Sequence, residues 1–326
     1  MSENKKTDHQ KIPIGISRCL LGEEVRYNGG HKLSKYCRDE LADYFEYRDT
    51  CPEVEIGMGI PREPIRLVEK GTELAPDIRI VEIKDPNKEF TKPLRDLADK
   101  KEQELLPLRG FIFMQGSPSC GAYRVKAYHP NGNVQHTHGK GGFAGRVMEK
   151  MPWLPVEESG RLMDAHLREN FITRVFVLDE WMQVMSDQPK RKDLIDFHSK
   201  HKYLVMAHSQ KHYRLLGKLL ARAGSYSIPV LAVRYRNILM HGLKQIAGLK
   251  GNANALQHMQ GYLKHKLDKQ AKADLSSVIE SYRMGEVPLI APLTLLRHYA
   301  ELAGDYYAGQ SFLAAHPKEL GLNNRI

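Results

Sequence analysis

The chain contains 326 residues, of which 41% are hydrophobic, and this length accommodates one large domain or two ordinary ones with well-filled cores. No apolar run approaches the ~20 residues that a membrane-spanning helix needs, and the first eleven residues lack the apolar segment of a secretory signal, so we expect a cytoplasmic protein. The net charge of +10 and the isoelectric point near 9.3 favour a polyanionic partner.

The first half of the chain alternates short strand-like runs with polar, Gly-rich or Pro-rich turns, which is typical of an α/β domain. A strand is predicted within residues 12–20, an amphipathic helix over residues 37–47 and a loop over residues 50–64. Further strands are predicted over residues 77–83 and 109–115, with helical periodicity between them. The order strand, helix, strand indicates a parallel, Rossmann-like sheet.

Residues 151–162, MPWLPVEESGRL, are rich in Pro and Gly, and strand patterns almost disappear after them. We therefore expect one domain over residues 1–162 and a second, all-α domain over residues 163–326. Between Lys190 and Arg283, 18 Lys or Arg residues stand against 5 Asp or Glu residues. The basic charge of the chain therefore belongs to the helical domain, and the rest of the chain is slightly acidic.

Three of the four cysteines lie where a predicted strand meets a turn or a helix. Cys19 follows the first strand, Cys51 opens the segment CPE, and Cys120 closes the run GFIFMQGSPSC. Open α/β sheets gather their ligands at the carboxyl ends of strands, so these thiols are candidates for one site. Their separations of 32 and 69 residues match no compact motif of a zinc ribbon or ferredoxin. The residues alone leave open a metal or cluster site, a single catalytic thiol, or inert buried cysteines.

The segments SRCLLGEEVRYNGG, CPEVEIGMGIPREP and GSPSCG resemble, in this order, the motifs of the thiouracil desulfurase family, also known as domain of unknown function 523. In the second half, HSQKHYRLLGKL, LQHMQGYLK and PLTLLRHY resemble domain of unknown function 1722. Together the two halves are similar to fused bacterial enzymes described as tRNA 4-thiouridine desulfidases. The resemblance implies a [4Fe–4S] cluster bound by Cys19, Cys51 and Cys120, with the fourth iron open to the sulfur of the substrate.

Hydrolytic desulfuration at such an iron involves no net redox change, but it needs a group that activates water and moves protons. Our first candidate is Glu53 in the CPE turn; the alternative is a solvated glutamate or an ion-pair partner of Arg62. The second candidate is Ser117, as a hydrogen-bonding partner of the substrate base or of the attacking water. It could instead be an ordinary turn serine, with Ser119 in the catalytic role.

Three further residue patterns have less specific interpretations. Cys37 matches none of the three motifs and lies in a predicted helix, so we expect a buried small residue rather than a fourth ligand. His136 and His138 are predicted in a flexible Gly-rich loop that touches substrate, with a metal site as the alternative. His208 and His212 are predicted to share a helix face that meets phosphate rather than to bind a metal.

The basic helical domain predicts RNA as a partner, since a small neutral thiouracil does not need such a charge. Basic side chains recur every three or four residues along one predicted helix and form a stripe, which consists of Lys211, His212, Arg214, Lys218 and Arg222. A solvated surface helix has the same pattern. Tyr203, Tyr213 and Tyr262 are candidates for stacking on bases, or else packing residues.

We therefore expect an iron–sulfur-dependent desulfidase that converts 4-thiouridine in tRNA to uridine and sulfide. Residues 1–162 would contain the cluster, and residues 163–326 would bind the tRNA. Two alternatives stay open. One is a desulfurase of free 2-thiouracil or 4-thiouracil whose helical domain only stabilises or dimerises the protein. The other is a non-catalytic RNA-binding iron–sulfur protein.

Overall fold

The structure, a computed structural model, describes residues 10–72 and 75–322 of the chain. It comprises two units that divide between Asp164 and Ala165. The first unit contains two sheets with short helices, and the described residues of the second are helical, which confirms the predicted α/β and all-α classes. Among the described residues, none of the helices is long and apolar enough to span a bilayer.

The described residues of the first unit form eight strands, four short α-helices and several isolated helical turns. In chain order the strands and α-helices are β1 (Ile12–Ser17), β2 (Phe45–Thr50), α1 (Pro52–Glu55), β3 (Ile65–Thr72), β4 (Ala75–Glu82), α2 (Thr91–Lys100), α3 (Glu102–Leu105), β5 (Phe111–Phe113), β6 (Val125–Tyr128), β7 (Val134–Gly139), α4 (Gly142–Lys150) and β8 (Val156–Glu158).

The first sheet contains four parallel strands in the spatial order β2, β1, β5, β8. β1 and β5 lie at the centre and are almost wholly buried, which explains their nearly continuous apolar sequences. Gly15 of β1 leaves room for the neighbouring strand, since a Cβ atom at this position would lie 2.2 Å from the ring of Phe111. Because the strands are parallel, the carboxyl ends of β1, β2 and β5 meet at one edge of the sheet.

The prediction of a continuous helix over residues 37–47 was wrong. Two short helical turns, Tyr36–Glu40 and Leu41–Asp43, precede β2, which begins at Phe45. The burial of β2 alternates, and the strand pairs along its whole length with β1. The pairing of β2 with β1, which is distant in the sequence, outweighs the local helical preference of these residues.

The second sheet has the order β4, β3, β6, β7. β3 is antiparallel to β4 and parallel to β6, while β6 and β7 are antiparallel. The strand predicted over residues 77–83 is β4, so it lies in a different sheet from β5, and the parallel pairing inferred from their order was wrong at this position. Leu67, Ile80 and Val125 of this sheet pack with Leu94 of α2 in one buried cluster.

In the second unit, residues 165–322 form eight α-helices. These are α5 (Ala165–Val184), α6 (Arg191–His208), α7 (Gln210–Ala221), α8 (Ile228–Leu243), α9 (Leu249–Leu263), α10 (Lys269–Arg283), α11 (Ile290–Ala303) and α12 (Asp305–Ala308). In its core, the ring of Trp181 lies 5.0 Å from that of Tyr235 and 5.1 Å from that of Phe197.

The prediction that His208 and His212 share one helix face was wrong. Ser209 separates α6 from α7, and its hydroxyl accepts a hydrogen bond from the backbone N–H of His212 at 3.4 Å. A serine at this position satisfies an N–H group of the first turn of α7, so it favours a helix start within an otherwise helical sequence. The two histidines therefore lie on different helices.

Candidate functional site

Cys19, Cys51 and Cys120 lie just beyond the carboxyl ends of β1, β2 and β5, at one edge of the first sheet. Cys19 belongs to a helical turn that continues β1, Cys51 follows β2 directly, and Cys120 is in the loop after β5. All three thiols are buried and line one cavity of about 190 Å³. The parallel sheet thus gathers three cysteines that are far apart in sequence.

The backbone at Cys51 is fixed by Glu55, which lies one turn further along α1. Glu55 Oε1 accepts hydrogen bonds from the Thr50 hydroxyl at 2.5 Å and from the Cys51 amide at 3.1 Å, while Oε2 accepts one from Lys101 Nζ at 2.8 Å. Burial opposes ionisation of Glu55, but the hydrogen bonds from Lys101 and Thr50 outweigh it and lower the pKa of the carboxyl. Glu55 therefore connects the turn of Cys51 to the end of α2.

The loop that carries Cys120 is bound to the N-terminus of α4. The backbone N–H groups of residues 141–144 donate to three carbonyl groups of this loop over distances of 2.8 to 3.1 Å. These bonds satisfy N–H groups that a helix N-terminus leaves without a partner. The contact requires glycine at position 141, because a Cβ atom there would lie 2.5 Å from the carbonyl carbon and oxygen of Ser119.

The carboxylate of Glu53 lies in the wall of the cavity between Arg62 and Ser119. Glu53 Oε2 accepts hydrogen bonds from Arg62 Nε at 2.8 Å and from Arg62 Nη2. The ion pair of Glu53 with Arg62, which the sequence analysis gave as the alternative role of Glu53, is therefore present. Oε1 accepts a hydrogen bond from the Ser119 hydroxyl at 2.5 Å. The Arg62 and Glu53 side chains are 4% and 13% exposed, so little water screens this pair.

Arg62 also fixes the segment that forms the opposite wall. Its guanidinium donates to the carbonyl of Val25 at 3.0 Å, and its backbone N–H donates to the carbonyl of Tyr27 at 2.8 Å. Arg26 and Tyr27 are thereby held at the cavity, with the Arg26 guanidinium 5.6 Å from the centre of the Tyr27 ring. The sequence analysis did not single out these two residues, although both lie within the segment SRCLLGEEVRYNGG.

Burial raises the pKa of each of the three thiols. For Cys19, burial and the neighbouring Cys51 together raise the pKa to about 11. The pKa of Cys120 is raised by burial and then by the charge of Glu53, and that of Cys51 is raised mainly by burial. The charge of Glu53 therefore acts on all three thiols across the same cavity.

The sequence of each unit matches a family model. Residues 14–159 match the 2-thiouracil desulfurase family, and residues 202–317 match DUF1722, a family of proteins of unknown function. The uncharacterized protein YbgA of Escherichia coli (strain K12) is 32% identical over 158 residues, which cover 48% of this chain and 94% of YbgA. The chain belongs to the 2-thiouracil desulfurase and DUF1722 families. Membership of the former indicates an enzyme that acts on thionucleobases.

Two further similarities are shorter or more distant. The uncharacterized protein YbbK of Bacillus subtilis (strain 168) is 42% identical over 55 residues, or 17% of this chain and 36% of YbbK. A solved structure of the [4Fe-4S]-dependent thiouracil desulfidase TudS is 27% identical and superposes with a TM-score of 0.38, covering 50% of this chain and all of the TudS chain.

In the desulfurase unit, Ser119 contacts Glu53 more closely than Ser117 does. The Ser119 hydroxyl also lies 3.6 Å from Cys120 Sγ, and both serines line the cavity. Ser117 Oγ is 3.5 Å from Glu53 Oε1 and accepts hydrogen bonds from the backbone N–H groups of Ser119 and Cys120 at 3.3 and 3.1 Å. Ser117 therefore stabilises the turn, and Ser119 is better placed to act with Glu53.

Cys37, His136 and His138 are not among the described residues that line the cavity. Cys37 is fully buried, as expected from the sequence. His136 and His138 belong to β7, where His136 Nε2 lies 2.6 Å from Glu69 Oε2 and the two imidazole rings stack at 3.9 Å. The prediction of a flexible loop for this segment was wrong, because pairing with β6 orders it.

The basic stripe of the DUF1722 unit lies on α7 and the residue that follows it. Four of its side chains are exposed, and none of the four pairs with a carboxylate in the part of the chain that the structure describes: Lys211, Arg214, Lys218 and Arg222. His212 is partly buried, with Nδ1 2.8 Å from the Ser209 hydroxyl, and burial lowers its pKa. Among the described residues, the stripe therefore presents four cations without a carboxylate partner, and His212 contributes less charge than the sequence suggests.

The three buried thiols are the candidate ligands for a metal cofactor at this cavity. Over residues 10–72 and 75–322, no group of three or more His, Cys, Asp or Glu side chains is arranged to hold one metal ion. In a [4Fe–4S] cluster each iron takes a separate thiolate, so the ligands are spread around the cluster. Cys19, Cys51 and Cys120 line one cavity and are free of disulfides, so they could hold such a cluster.

Proposed function

We propose that the protein is a [4Fe–4S]-dependent desulfidase that converts 4-thiouridine in tRNA to uridine and sulfide. The observation that carries the proposal is the cavity in which three buried thiols lie beside the hydrogen-bonded pair of Glu53 and Ser119. Cys19, Cys51 and Cys120 would bind the cluster. When bound, the cluster supplies one iron without a protein ligand, a soft Lewis acid suited to a thiocarbonyl sulfur.

The reaction is a hydrolysis in which no atom changes its net oxidation state. Water adds to the thiocarbonyl carbon, the C–S bond breaks, and the oxo base and hydrogen sulfide are the products. Glu53 Oε1 takes one proton from the attacking water and a second from the hydroxyl of the resulting adduct, and it delivers both to the departing sulfur; the same oxygen orients the Ser119 hydroxyl. Arg62 occupies Oε2 and so leaves Oε1 for this proton transfer.

The charge of the DUF1722 unit supports RNA as the carrier of the thiolated base. A free thiouracil is neutral and small, whereas the stripe on α7 presents four exposed cations without carboxylate partners among the described residues. The thiols and Glu53 are shielded from solvent, so a base within a folded RNA must leave its stack to reach them.

Mass spectrometry of tRNA nucleosides tests the reaction directly. After anaerobic reconstitution, the protein should lower the 4-thiouridine content of tRNA, with an equal gain of uridine and an equal release of sulfide. Sulfide release would exclude the non-catalytic alternative. A fully reconstituted protein that leaves 4-thiouridine unchanged would contradict the proposal.

A glutamine at position 53 tests the proton carrier. Glu53→Gln preserves the size of the side chain but removes its basicity, so turnover should fall by about 10² to 10⁴ while the cluster content stays the same. Glu63→Gln is the matched control, because Glu63 forms a surface ion pair with Lys84 outside the cavity lining. Equal turnover of Glu53→Gln and wild type would exclude Glu53 from this role.

A free thiolated base is the second candidate substrate, and the description of the matched family as 2-thiouracil desulfurase favours it. The two candidates differ in the ratio of kcat/KM for tRNA to that for free 2-thiouracil or 4-thiouracil. A higher kcat/KM with the free bases would assign the helical unit a role other than substrate binding.

A further inference from the structure

Lys202, in α6 of the second unit, is surrounded by three tyrosine rings. Its Nζ lies 4.9 Å from the ring centre of Tyr203, 5.5 Å from that of Tyr262 and 5.6 Å from that of Tyr306. It also donates a hydrogen bond to the Tyr306 hydroxyl at 2.9 Å. We refer to these four residues as the tyrosine–lysine cluster. Contacts of this length with aromatic rings attract a cation and hold it in place.

Two rings of the tyrosine–lysine cluster are largely exposed. Tyr203 is 3% exposed and forms the base of the cluster, whereas Tyr262 and Tyr306 are 52% and 50% exposed. The Tyr203 and Tyr262 rings meet edge to face, with their centres 6.2 Å apart and their planes at 69°. This contact supports the Tyr262 ring from one side and leaves about half of it accessible to a ligand.

Basic residues lie close to Tyr262 in the sequence. Lys264, His265 and Lys266 follow Tyr262 and the buried Leu263, and all three are exposed. Lys202 has no carboxylate partner among the described residues. Its ammonium group contacts the three tyrosine rings and the Tyr306 hydroxyl instead. Within the part of the chain that the structure describes, no carboxylate neutralises its positive charge.

We propose that the tyrosine–lysine cluster binds an unpaired nucleotide of the RNA, with its base stacked on Tyr262 or Tyr306 and its phosphate beside Lys202. This inference rests on the proposed function, because it assigns a second contact to the same RNA. Exposed aromatic rings next to cations are the combination that proteins use for unstacked bases, since every base has a face that can stack and a phosphate that attracts a cation. The basic stripe on α7 lacks such rings at its exposed positions and would contact phosphates.

Fluorescence anisotropy with an unmodified tRNA transcript tests the cluster apart from desulfuration. For the full-length protein, Tyr262→Ala and Tyr306→Ala should each weaken binding by about tenfold at fixed salt, because each removes a stacking surface. Tyr262→Phe, the matched control, keeps the ring and should bind like wild type. Lys202→Gln should reduce the slope of log Kd against log salt by about 1, whereas the alanine variants should leave that slope unchanged.

Three results would overturn the inference. Alanine variants that fold like wild type in thermal unfolding and bind the transcript equally well would exclude stacking, as would an equal loss in Tyr262→Phe. If Tyr262→Ala instead turns a dimer into a monomer in analytical ultracentrifugation without a change in RNA affinity, the cluster is a contact between two copies of the chain.

Failure of this inference can be separated from failure of the proposed function. Turnover of free 4-thiouracil depends on the desulfurase cavity alone, so it should be equal in wild type and in all cluster variants. If wild type binds the transcript and the variants bind it equally, only the tyrosine–lysine cluster loses its assignment. If wild type does not bind the transcript, the proposal of a tRNA substrate fails with it.

Discussion

Replacement of Gly141 by alanine tests whether the N-terminus of α4 fixes the loop of Cys120. The new Cβ atom would lie 2.5 Å from the carbonyl carbon and oxygen of Ser119 and 2.9 Å from the amide nitrogen of Cys120. Ordinary contact begins near 3.4 Å, so the loop and the helix must separate by roughly 0.9 Å. Gly141 has φ −66° and ψ 152°, which alanine adopts readily, so the effect is steric and not a backbone strain.

The energetic effect follows from the rigidity of this contact. The atoms that the methyl group meets belong to the backbone, and four N–H bonds hold the loop in place, so no flexible side chain can move aside. Overpacking of this kind costs about 1 to 3 kcal/mol, and we expect the free energy of unfolding of Gly141→Ala to fall by about 2 kcal/mol. Because Cys120 moves with the loop, the protein should also bind less iron and sulfide on anaerobic reconstitution.

Urea unfolding of the cluster-free protein and iron and sulfide analysis of the reconstituted protein measure both effects. Gly145→Ala is the matched control on the same helix, because its Cβ atom would meet only Lys140 Cβ at 3.4 Å, and alanine favours a helix interior by about 1 kcal/mol over glycine. The reasoning is refuted if Gly141→Ala unfolds at the same urea concentration as wild type and binds a full complement of iron.

Three further predictions concern the groups around the cysteines and the core of the helical unit. Glu55→Gln removes the charge that holds Lys101 and orients the Cys51 amide, so the iron content after reconstitution should fall. Glu104→Gln is the control: it removes the exposed second partner of Lys101 and should leave the iron content unchanged. Cys37→Ala should keep the full iron content and lower the free energy of unfolding by about 1 kcal/mol; a loss of iron would show that Cys37 is a ligand. Burial lowers the pKa of His198 to about 4, below the value of 6.5 for an unperturbed histidine. Between pH 4 and pH 6.5 the unfolded chain therefore binds more protons than the folded protein. The free energy of unfolding should fall by up to roughly 3 kcal/mol as the pH drops from 6.5 to 4. Urea unfolding at pH 7 and pH 5 should show this decline in wild type and a smaller one in His198→Gln, and equal declines would contradict the assignment.

The sequence was sufficient for the two fold classes and for the strands that precede Cys19 and Cys120, whereas the strand before Cys51 was predicted as a helix. Periods of two and of 3.6 residues are local properties, and parallel strands end at a common edge, so the three cysteines were candidates for one site without a structure. Local patterns also misled where pairing partners decide the outcome. β2 and β7 became strands because β1 and β6 lie beside them, and α6 ends at His208 because Ser209 starts a new helix.

Within the site, the sequence named Glu53 and a serine of the segment GSPSCG, but only the tertiary structure selected among the contacts. Ser119 rather than Ser117 is closest to Glu53, across 66 residues of sequence, and Arg62 binds the other carboxylate oxygen. The tyrosine–lysine cluster likewise joins residues from α6, α9 and α12. A sequence determines which chemical groups are present and the local shape of the chain. Distances between groups on separate segments depend on how those segments pack, and that packing is settled only when the whole core is formed.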